Sequence, residues 1–446
     1  MDTTARQATR LDAITGRFDP WLLGLIGALI ALGIVMVGSA SIAQAPTPNY
    51  YLLRHLVFLA AGMAAAAWAM RFELKTLERH AQWLLPLCLL LLVAVLIPGI
   101  GSSVKGARRW INLGVASFQV VEAVKVFFIV WMASYLKRFS EDVSATWRAM
   151  MKPIGVVILF VVLLLLQPDF GSSALLLAIT GGMLVLGGAN MPRMFAPVMA
   201  GLPILAAVAI SEPYRLRRIT SFRDPFKDAF GDGFQLSNAL MAIGRGEWFG
   251  VGLGASVHKL PGYLPEAHND FIFSVIAEEL GFAGVCLVIA LYAGLVGRAL
   301  WIGLKCVEMR RHFAGYCAFG LALWIGLQST VSMGVNLGLL PTKGLTLPLI
   351  SYGGSSVAMT CAAMGLLLRI SYELERARRQ VARLRGEPVV PKPDVPSPDA
   401  PSRTPGRPLR PAAVATPAPA PPVRPDSRGT SRLRPRVEPT FGRSSA

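Results

Sequence analysis

The residues with the most chemical potential are charged groups standing inside or beside long apolar runs. Glu122 and Lys125 lie near the start of the run Val120 to Leu136, spaced i, i+3. A helix there carries both on one face, where they can neutralise each other. Leaving either charge alone in hydrocarbon costs at least about 3 kcal/mol. Two roles fit: a structural ion pair, or a Lys125 that reaches a ligand phosphate while Glu122 sets its position and charge. Asp270 stands where a long polar loop meets the run Phe271 to Ile302, in the stretch Leu264-Pro-Glu-Ala-His-Asn-Asp-Phe-Ile-Phe273. It is a functional candidate, with an acidic residue favoured by the helix dipole as the plain alternative. Glu278 and Glu279, two turns further on, read as interhelical partners of basic residues. His258 and His268 lack ligand spacing, so no structural metal is expected.

The stretch Leu340-Pro-Thr-Lys-Gly-Leu-Thr-Leu-Pro-Leu-Ile-Ser-Tyr-Gly-Gly-Ser-Ser356 holds the second candidate group. Ser351, Gly353, Gly354 and Ser355 can present hydroxyls and backbone N–H groups to an anion, with Lys343 nearby. The pattern is not a P-loop, and close helix packing by small residues is its competing explanation. Arg109 and Trp110 sit in a short basic loop with Lys105 and Arg108. Those cations suit an anionic lipid headgroup or a pyrophosphate.

The positioning elements are membrane helices. The 446 residues are 53% hydrophobic and 16% charged, outside the range of an ordinary soluble domain. A spanning helix needs about 20 apolar residues. Such runs recur at Trp21 to Ala40, Tyr51 to Met70, Ala81 to Ile97, Val120 to Leu136, Ile154 to Leu166, Ser172 to Gly188, Met194 to Ile210, Phe271 to Ile302, Ala314 to Leu340 and Leu347 to Ile370. The expected fold is therefore an all-α polytopic membrane protein of about ten transmembrane helices, with a large, partly helical extracytoplasmic loop between helices 7 and 8.

The first run is too long for a signal-peptide core, and Pro46 follows the cleavage-like Ala43-Gln-Ala45, so it reads as a retained helix. The five cysteines suggest no disulfide framework. Arg6, Arg10, Arg17, Arg71, Lys75, Arg79, Lys137, Arg138, Arg148, Lys152, Lys305, Arg310 and Arg311 all fall on one side, which places both termini in the cytoplasm. Loop 211–269 departs from that rule, with Arg215, Arg217, Arg218, Arg223, Lys227, Arg245 and Lys259 on the outer side. Within it, Gly233 to Glu247 has the pattern of an interfacial or re-entrant helix. We expect a cytoplasmic segment over 1–18, a transmembrane domain over 19–372, and a basic, disordered cytoplasmic tail over 373–446. The tail is Pro-, Arg- and Ala-rich from Glu387. No soluble domain or internal repeat is discernible.

Six stretches in order resemble the SEDS family (shape, elongation, division and sporulation) of polytopic peptidoglycan polymerases. They are Gly106-Ala-Arg-Arg-Trp-Ile-Asn-Leu-Gly114, Gln119 with Glu122 and Lys125, Gln167-Pro-Asp-Phe-Gly171, Tyr263 to Phe273, Glu278-Glu-Leu-Gly281, and Leu340 to Ser356. The last run and the Tyr-Leu-Pro-Glu-Ala-His form are similar to the division-type branch rather than the elongation-type one. One departure is visible: Val120 and Val121 stand where the family usually has Pro-Ser.

The resemblance implies glycosyl transfer from lipid II, a disaccharide-pentapeptide on undecaprenyl pyrophosphate, to a second lipid-linked sugar. Asp270 would be the general base; Arg109, Lys125 and Lys343 would stabilise the departing pyrophosphate. Trp110, Glu122, Ser351, Gly353, Gly354 and Ser355 complete the implied substrate site. The cofactor is left open, with a divalent cation such as Mg2+ or Mn2+ as a candidate. Implied partners are a class B penicillin-binding protein, other division-complex membrane proteins and membrane lipids, with no nucleic acid. The implied location is the bacterial inner membrane at the division septum. A lipid II flippase and a non-catalytic division scaffold are the two competing functions.

Overall fold

Residues 16–42, 47, 49–104, 106–112, 114, 117–210, 217, 221–342 and 344–384 are described by a computed structural model of the chain. Ten helices coincide with the ten apolar runs: α1 (Pro20–Ser41), α2 (Tyr50–Arg71), α3 (Leu74–Leu96), α4 (Val120–Ala145), α5 (Trp147–Leu166), α6 (Phe170–Leu186), α7 (Met191–Ile210), α9 (Ile272–Glu308), α10 (His312–Asn336) and α11 (Gly354–Leu384). An additional short helix, α8 (Phe234–Gly246), lies in the long loop before α9.

Helices are the economical solution here, because hydrocarbon leaves no solvent partner for a backbone N–H or C=O. Seven of them, α1, α2, α3, α5, α9, α10 and α11, are long and apolar enough to cross a membrane. The protein is a multi-pass membrane protein. Large apolar side chains such as Trp21, Leu53, Trp68, Trp83 and Leu90 point away from the bundle, as a lipid-facing surface requires.

The core gathers on α10 and α11, whose apolar windows are 67% buried, whereas that of α2 is 17% buried. α10 packs against α9, α4 and α6, and α11 packs along α2. A smaller apolar cluster joins α3, α4 and α5 through Cys88, Leu92, Val124, Phe128 and Phe160. The cysteines are all free.

Three features were not anticipated. The loop 97–119 is a three-stranded antiparallel sheet, β1 (Gly101–Val104), β2 (Ala107–Asn112) and β3 (Ser117–Gln119), in the order β1-β2-β3. The fold is thus helical with one small extramembrane sheet among the described residues. Secondly, α11 runs on to Leu384, so the tail starts about 12 residues later than 373. Leu374 and Ala377 continue the buried face, and Glu373 is held by Arg311 at 3.3 Å and Arg369 at 3.1 Å. Residues 385–446 lie outside the described residues.

Thirdly, α9 is kinked. Its 37 residues would span about 55 Å as one straight helix, well beyond a hydrocarbon core of about 30 Å. The chain breaks regularity at Gly281 (φ 68°, ψ −164°), a conformation only glycine adopts without strain. The freed backbone groups are met by the loop 247–252. Val251 N donates to Glu278 O (2.9 Å), Gly252 N to Glu279 O (3.1 Å), Phe282 N to Glu247 O (2.8 Å) and Ala283 N to Trp248 O (3.1 Å). A methyl on Gly281 would stand 2.3 Å from Gly250 N, so the two backbones interlock at van der Waals distance.

Candidate active site

Asp270 occupies the last turn of loop before α9, half-buried. Its main chain is fixed from α10: Asn336 Nδ2 donates to Asp270 O at 3.0 Å and to Ser332 O at 2.8 Å, while Asn336 Oδ1 accepts from Ser274 N and Oγ at 3.2 and 2.8 Å. One buried amide therefore sets where α9 begins. The residues just before Asp270 are tied to the segment ahead of α11. Ser351 Oγ donates to Asn269 O (2.7 Å) and accepts from Leu347 N (2.8 Å), and Tyr352 N donates to His268 O (3.0 Å). The His268 ring packs against Tyr51 and Tyr352, with centroids 4.4 and 5.4 Å away. Gly344 borders the carboxylate: a methyl there would stand 3.2 Å from Asp270 Oδ2.

The cationic side of the site comes from the sheet. Arg109, on β2, donates through Nη2 to Pro168 O at 3.2 Å, with Nη1 3.9 Å from Asp169 Oδ2. Asp169 is committed elsewhere as the N-cap of α6, accepting from Ser172 N (3.1 Å) and Ser172 Oγ (2.9 Å). Gln167 Nε2 anchors the same corner to Leu92 O (3.1 Å). A methyl on Gly171 would touch Leu345 at 3.6 Å. The Arg109 corner and Asp270 thus flank two consecutive residues, Leu345 and Gly344. Trp110, half-buried, pairs with Gln119 across β2 and β3, and Gln119 N donates to Ser355 Oγ at 3.2 Å. That bond joins the sheet to the start of α11.

Gly354 has a packing reason to be glycine, whereas Gly353 has room for a methyl. A methyl on Gly354 would lie 2.8 Å from the Phe58 ring, and one on Gly353 would meet Thr346 at 3.5 Å. Val120 and Val121, the departure from the family pattern, are buried at the regular first turn of α4, with Gln119 as its N-cap. The substitution leaves the helix start intact.

Glu122 and Lys125 lie deeper, both buried, Lys125 at 0% exposure. The Lys125 ammonium donates to Glu122 Oε1 (2.8 Å) and Gln328 Oε1 (2.9 Å) and sits 4.9 Å from the Trp324 ring centroid. Gln328 also accepts from Trp324 Nε1 (2.7 Å) and donates to Thr346 O (2.9 Å). The buried pair is therefore wired to the same 344–356 segment that borders Asp270. Glu122 Oε2 has no hydrogen-bond partner among the described residues. Lys343 and Lys105 lie outside the described residues.

Glu278 and Glu279 pair with basic residues, as their positions suggested. Glu278 Oε1 meets Arg245 Nη1 and His258 Nδ1, both at 3.0 Å, and its Oε2 accepts from Ser256 Oγ. Glu279 Oε1 meets Lys259 Nζ at 2.8 Å, and both its oxygens accept from Ser39 Oγ of α1. Two cations of the loop 211–269, Arg245 and Lys259, are thereby consumed internally. Sequence reasoning missed Asn336 and Gln328. Their signal was present as amides in the otherwise apolar helix α10.

Residues 20–376 match the family model described as cell cycle protein, FTSW_RODA_SPOVE. A probable peptidoglycan glycosyltransferase FtsW of Xanthomonas oryzae pv. oryzae is 63% identical, over 99% of this chain and 94% of its own length. One of the same description from Aromatoleum aromaticum is 48% identical, over 81% of this chain and 90% of that relative. Among solved structures, a chain from work on structural coordination of polymerization and crosslinking by a peptidoglycan synthase complex superposes with a TM-score of 0.68. It is 32% identical, over 80% of this chain and 98% of that one. Thermus thermophilus rod shape determining protein RodA gives 0.58 at 31% identity, over 79% and 96%. The chain belongs to the FtsW/RodA/SpoVE family of cell cycle proteins.

Proposed function

We propose that this chain is a division-type peptidoglycan glycosyltransferase that polymerises lipid II into β-1,4 glycan at the septal inner membrane, with both termini cytoplasmic. The observation that carries the reading is Asp270: a half-buried carboxylate at the end of the bundle, whose main chain is held by Asn336 and whose flanking residues are held by Ser351 and Tyr352. A general base needs a fixed backbone and an approachable oxygen.

In this reading Asp270 takes the proton from the acceptor's 4-hydroxyl as that oxygen attacks the donor's anomeric carbon. The undecaprenyl pyrophosphate leaves from the opposite face, so an α-linked donor becomes a β-linked product. Glycosidases need a second carboxyl to protonate their leaving alkoxide; a pyrophosphate leaves without one. What it requires is positive charge. Arg109 is the described cation best placed to supply it, being partly exposed beside the segment that borders Asp270; Lys343 follows two positions after Pro341 in that same segment. Mg2+ or Mn2+ carried by the pyrophosphate would add to them. Among the described residues no three His, Cys, Asp or Glu side chains gather into a site that would hold an ion without substrate.

Trp110, Ser351, Gly353, Gly354 and Ser355 form the wall against which the lipid-linked sugars bind. Lys125 and Glu122 act from beneath, setting the 344–356 segment through Gln328. A crosslinking partner, a class B penicillin-binding protein, would take the finished strand.

The test is polymerisation of purified lipid II by this protein with its cognate transpeptidase, wild type beside Asp270→Asn, read as glycan chain length. Glycan from wild type alone, with both proteins equally folded, is the expected result. Near-normal synthesis by the variant would sink the assignment, and glycan from neither would favour a flippase or a scaffold.

A further inference from the structure

The end of the bundle opposite Asp270 holds a cavity of about 450 Å3 between α1, α9 and α11, a volume within the range of about 300–1,000 Å3 common to small-ligand sites. Its polar wall carries Arg17, Arg298, Arg378 and Arg379, against the two carboxylates of Asp19 and Glu375. Arg298 is spent on Asp19, at 2.6 Å, and Arg379 on Glu375, at 3.1 Å. The cavity therefore keeps a net positive charge from Arg17 and Arg378 after its internal pairs are counted.

Its other wall is apolar and aromatic. Arg298 and Arg378 approach the Trp301 ring, with guanidinium carbons 4.1 and 5.3 Å from the centroid. Phe18, Pro20, Ile302 and Leu374 complete the lining, and exposed Phe18 and Trp21 continue from the rim onto the lipid-facing side of α1. Arginines over a tryptophan at the level where α1 begins are placed at the depth of the headgroups. A soluble anion would have no use for the apolar half.

We propose that this cavity is a binding site for the phosphate diester headgroup of an anionic glycerophospholipid of the cytoplasmic leaflet. The leaflet assignment rests on the orientation proposed above; the charge and shape of the cavity do not. The lipid would bridge α1, α9 and α11 at the end where those helices make their ion pairs. It would fasten the frame that presents Asp270 at the other end, without touching the reacting atoms.

The experiment uses the full chain in detergent, titrated with short-chain phosphatidylglycerol, phosphatidylcholine of the same chain length, and inorganic phosphate. Binding is read by native mass spectrometry and by Tm. Wild type is expected to retain phosphatidylglycerol and gain Tm from it, and Arg17→Gln with Arg378→Gln to weaken retention about thirtyfold, at about fivefold per cation near an anionic surface. Arg138→Gln with Arg148→Gln, two exposed cations at the same end and outside the cavity, is expected to match wild type. Equal loss in both double variants would reduce the effect to diffuse surface charge and overturn the proposal. So would a Tm gain from inorganic phosphate equal to that from the lipid, or undiminished retention by Arg17→Gln with Arg378→Gln. Arg378→Gln alone, at an exposed side chain, serves if the double variant unfolds. None of these readouts uses lipid II polymerisation, so failure here leaves the glycosyltransferase reading standing, and the reverse.

Discussion

Asp270 and the pair Glu278–Glu279 lie two turns apart on the same loop and helix, yet the protein treats them in opposite ways. The glutamates are buried, and their side chains are spent on Arg245, His258, Lys259, Ser256 and Ser39. Asp270 is half-buried, and its backbone carbonyl and the residues before it are held by the surrounding helices. A carboxylate saturated by cations holds loops together but has little basicity left to offer. One held through its main chain at the end of the bundle stands at a fixed place that a substrate hydroxyl can approach. On the proposed reading, this loop and helix separate the work of holding from the work of reacting, within nine residues of chain.

The strongest test of that division pairs two variants. Asp270→Asn is expected to cut polymerisation by about 10^2–10^4-fold, the usual range for a lost general base, while Tm in detergent stays within about 2 °C of wild type. Glu279→Ala is expected to do the reverse in cause: it removes the carboxylate that neutralises the buried Lys259 ammonium, costing about 3–5 kcal/mol of stability, with activity lost only as folded protein is lost. The two curves to compare are specific activity and thermal unfolding. A Glu279→Ala protein that is fully stable but inactive would erase the distinction.

The buried pair of α4 sharpens the comparison at smaller amplitude. Lys125→Ala leaves Glu122 buried without its cation and should destabilise by about 3 kcal/mol. The double change Lys125→Met with Glu122→Leu should recover most of that loss, since apolar side chains of similar volume need no desolvation. If the double variant regains stability and still fails to polymerise, the pair serves substrate as well as structure. Arg109→Ala, by contrast, removes a partly exposed side chain at the rim and should lower polymerisation about tenfold, with Tm almost unchanged.

Much of this was legible in sequence, for reasons specific to membranes. Hydrocarbon demands long apolar runs, so each of the ten runs coincides with a helix, though ends such as those of α4 and α11 lie up to 14 residues away, and charges such as Glu122 and Lys125 stood out because they are expensive there. Glu278 and Glu279 could be read as partners for cations, but not for which ones, because Arg245, Lys259 and Ser39 come from other elements. The kink at Gly281 was invisible for the same reason: it exists because loop 247–252 supplies the missing hydrogen bonds, a tertiary fact. The sheet at 101–119 was missed because short polar strands carry little periodic signal in a basic loop. Asn336 and Gln328 were overlooked among apolar neighbours, although an amide in a membrane helix is itself a reason to look for a bond it satisfies.

The finest test of how Asp270 is positioned falls on a residue with no functional group. Gly344 is exposed, has no positive φ, and packs with its Cα side toward Asp270, where an added methyl would stand 3.2 Å from Oδ2. That distance is tight but not impossible, so Gly344→Ala should fold normally, with a stability change of at most about 1 kcal/mol. The carboxylate would instead shift by a few tenths of an ångström or lose room for the acceptor hydroxyl. We expect polymerisation to fall about threefold to tenfold for Gly344→Ala and further for Gly344→Val, because a base displaced from its proton loses rate steeply. Measured beside Arg109→Ala, the series separates geometry from charge: added salt should narrow the arginine defect, because it screens in wild type the attraction that the variant lacks, and leave the glycine defect as it is. Equal salt sensitivity in both would mean that Gly344 acts on substrate binding rather than on the position of Asp270.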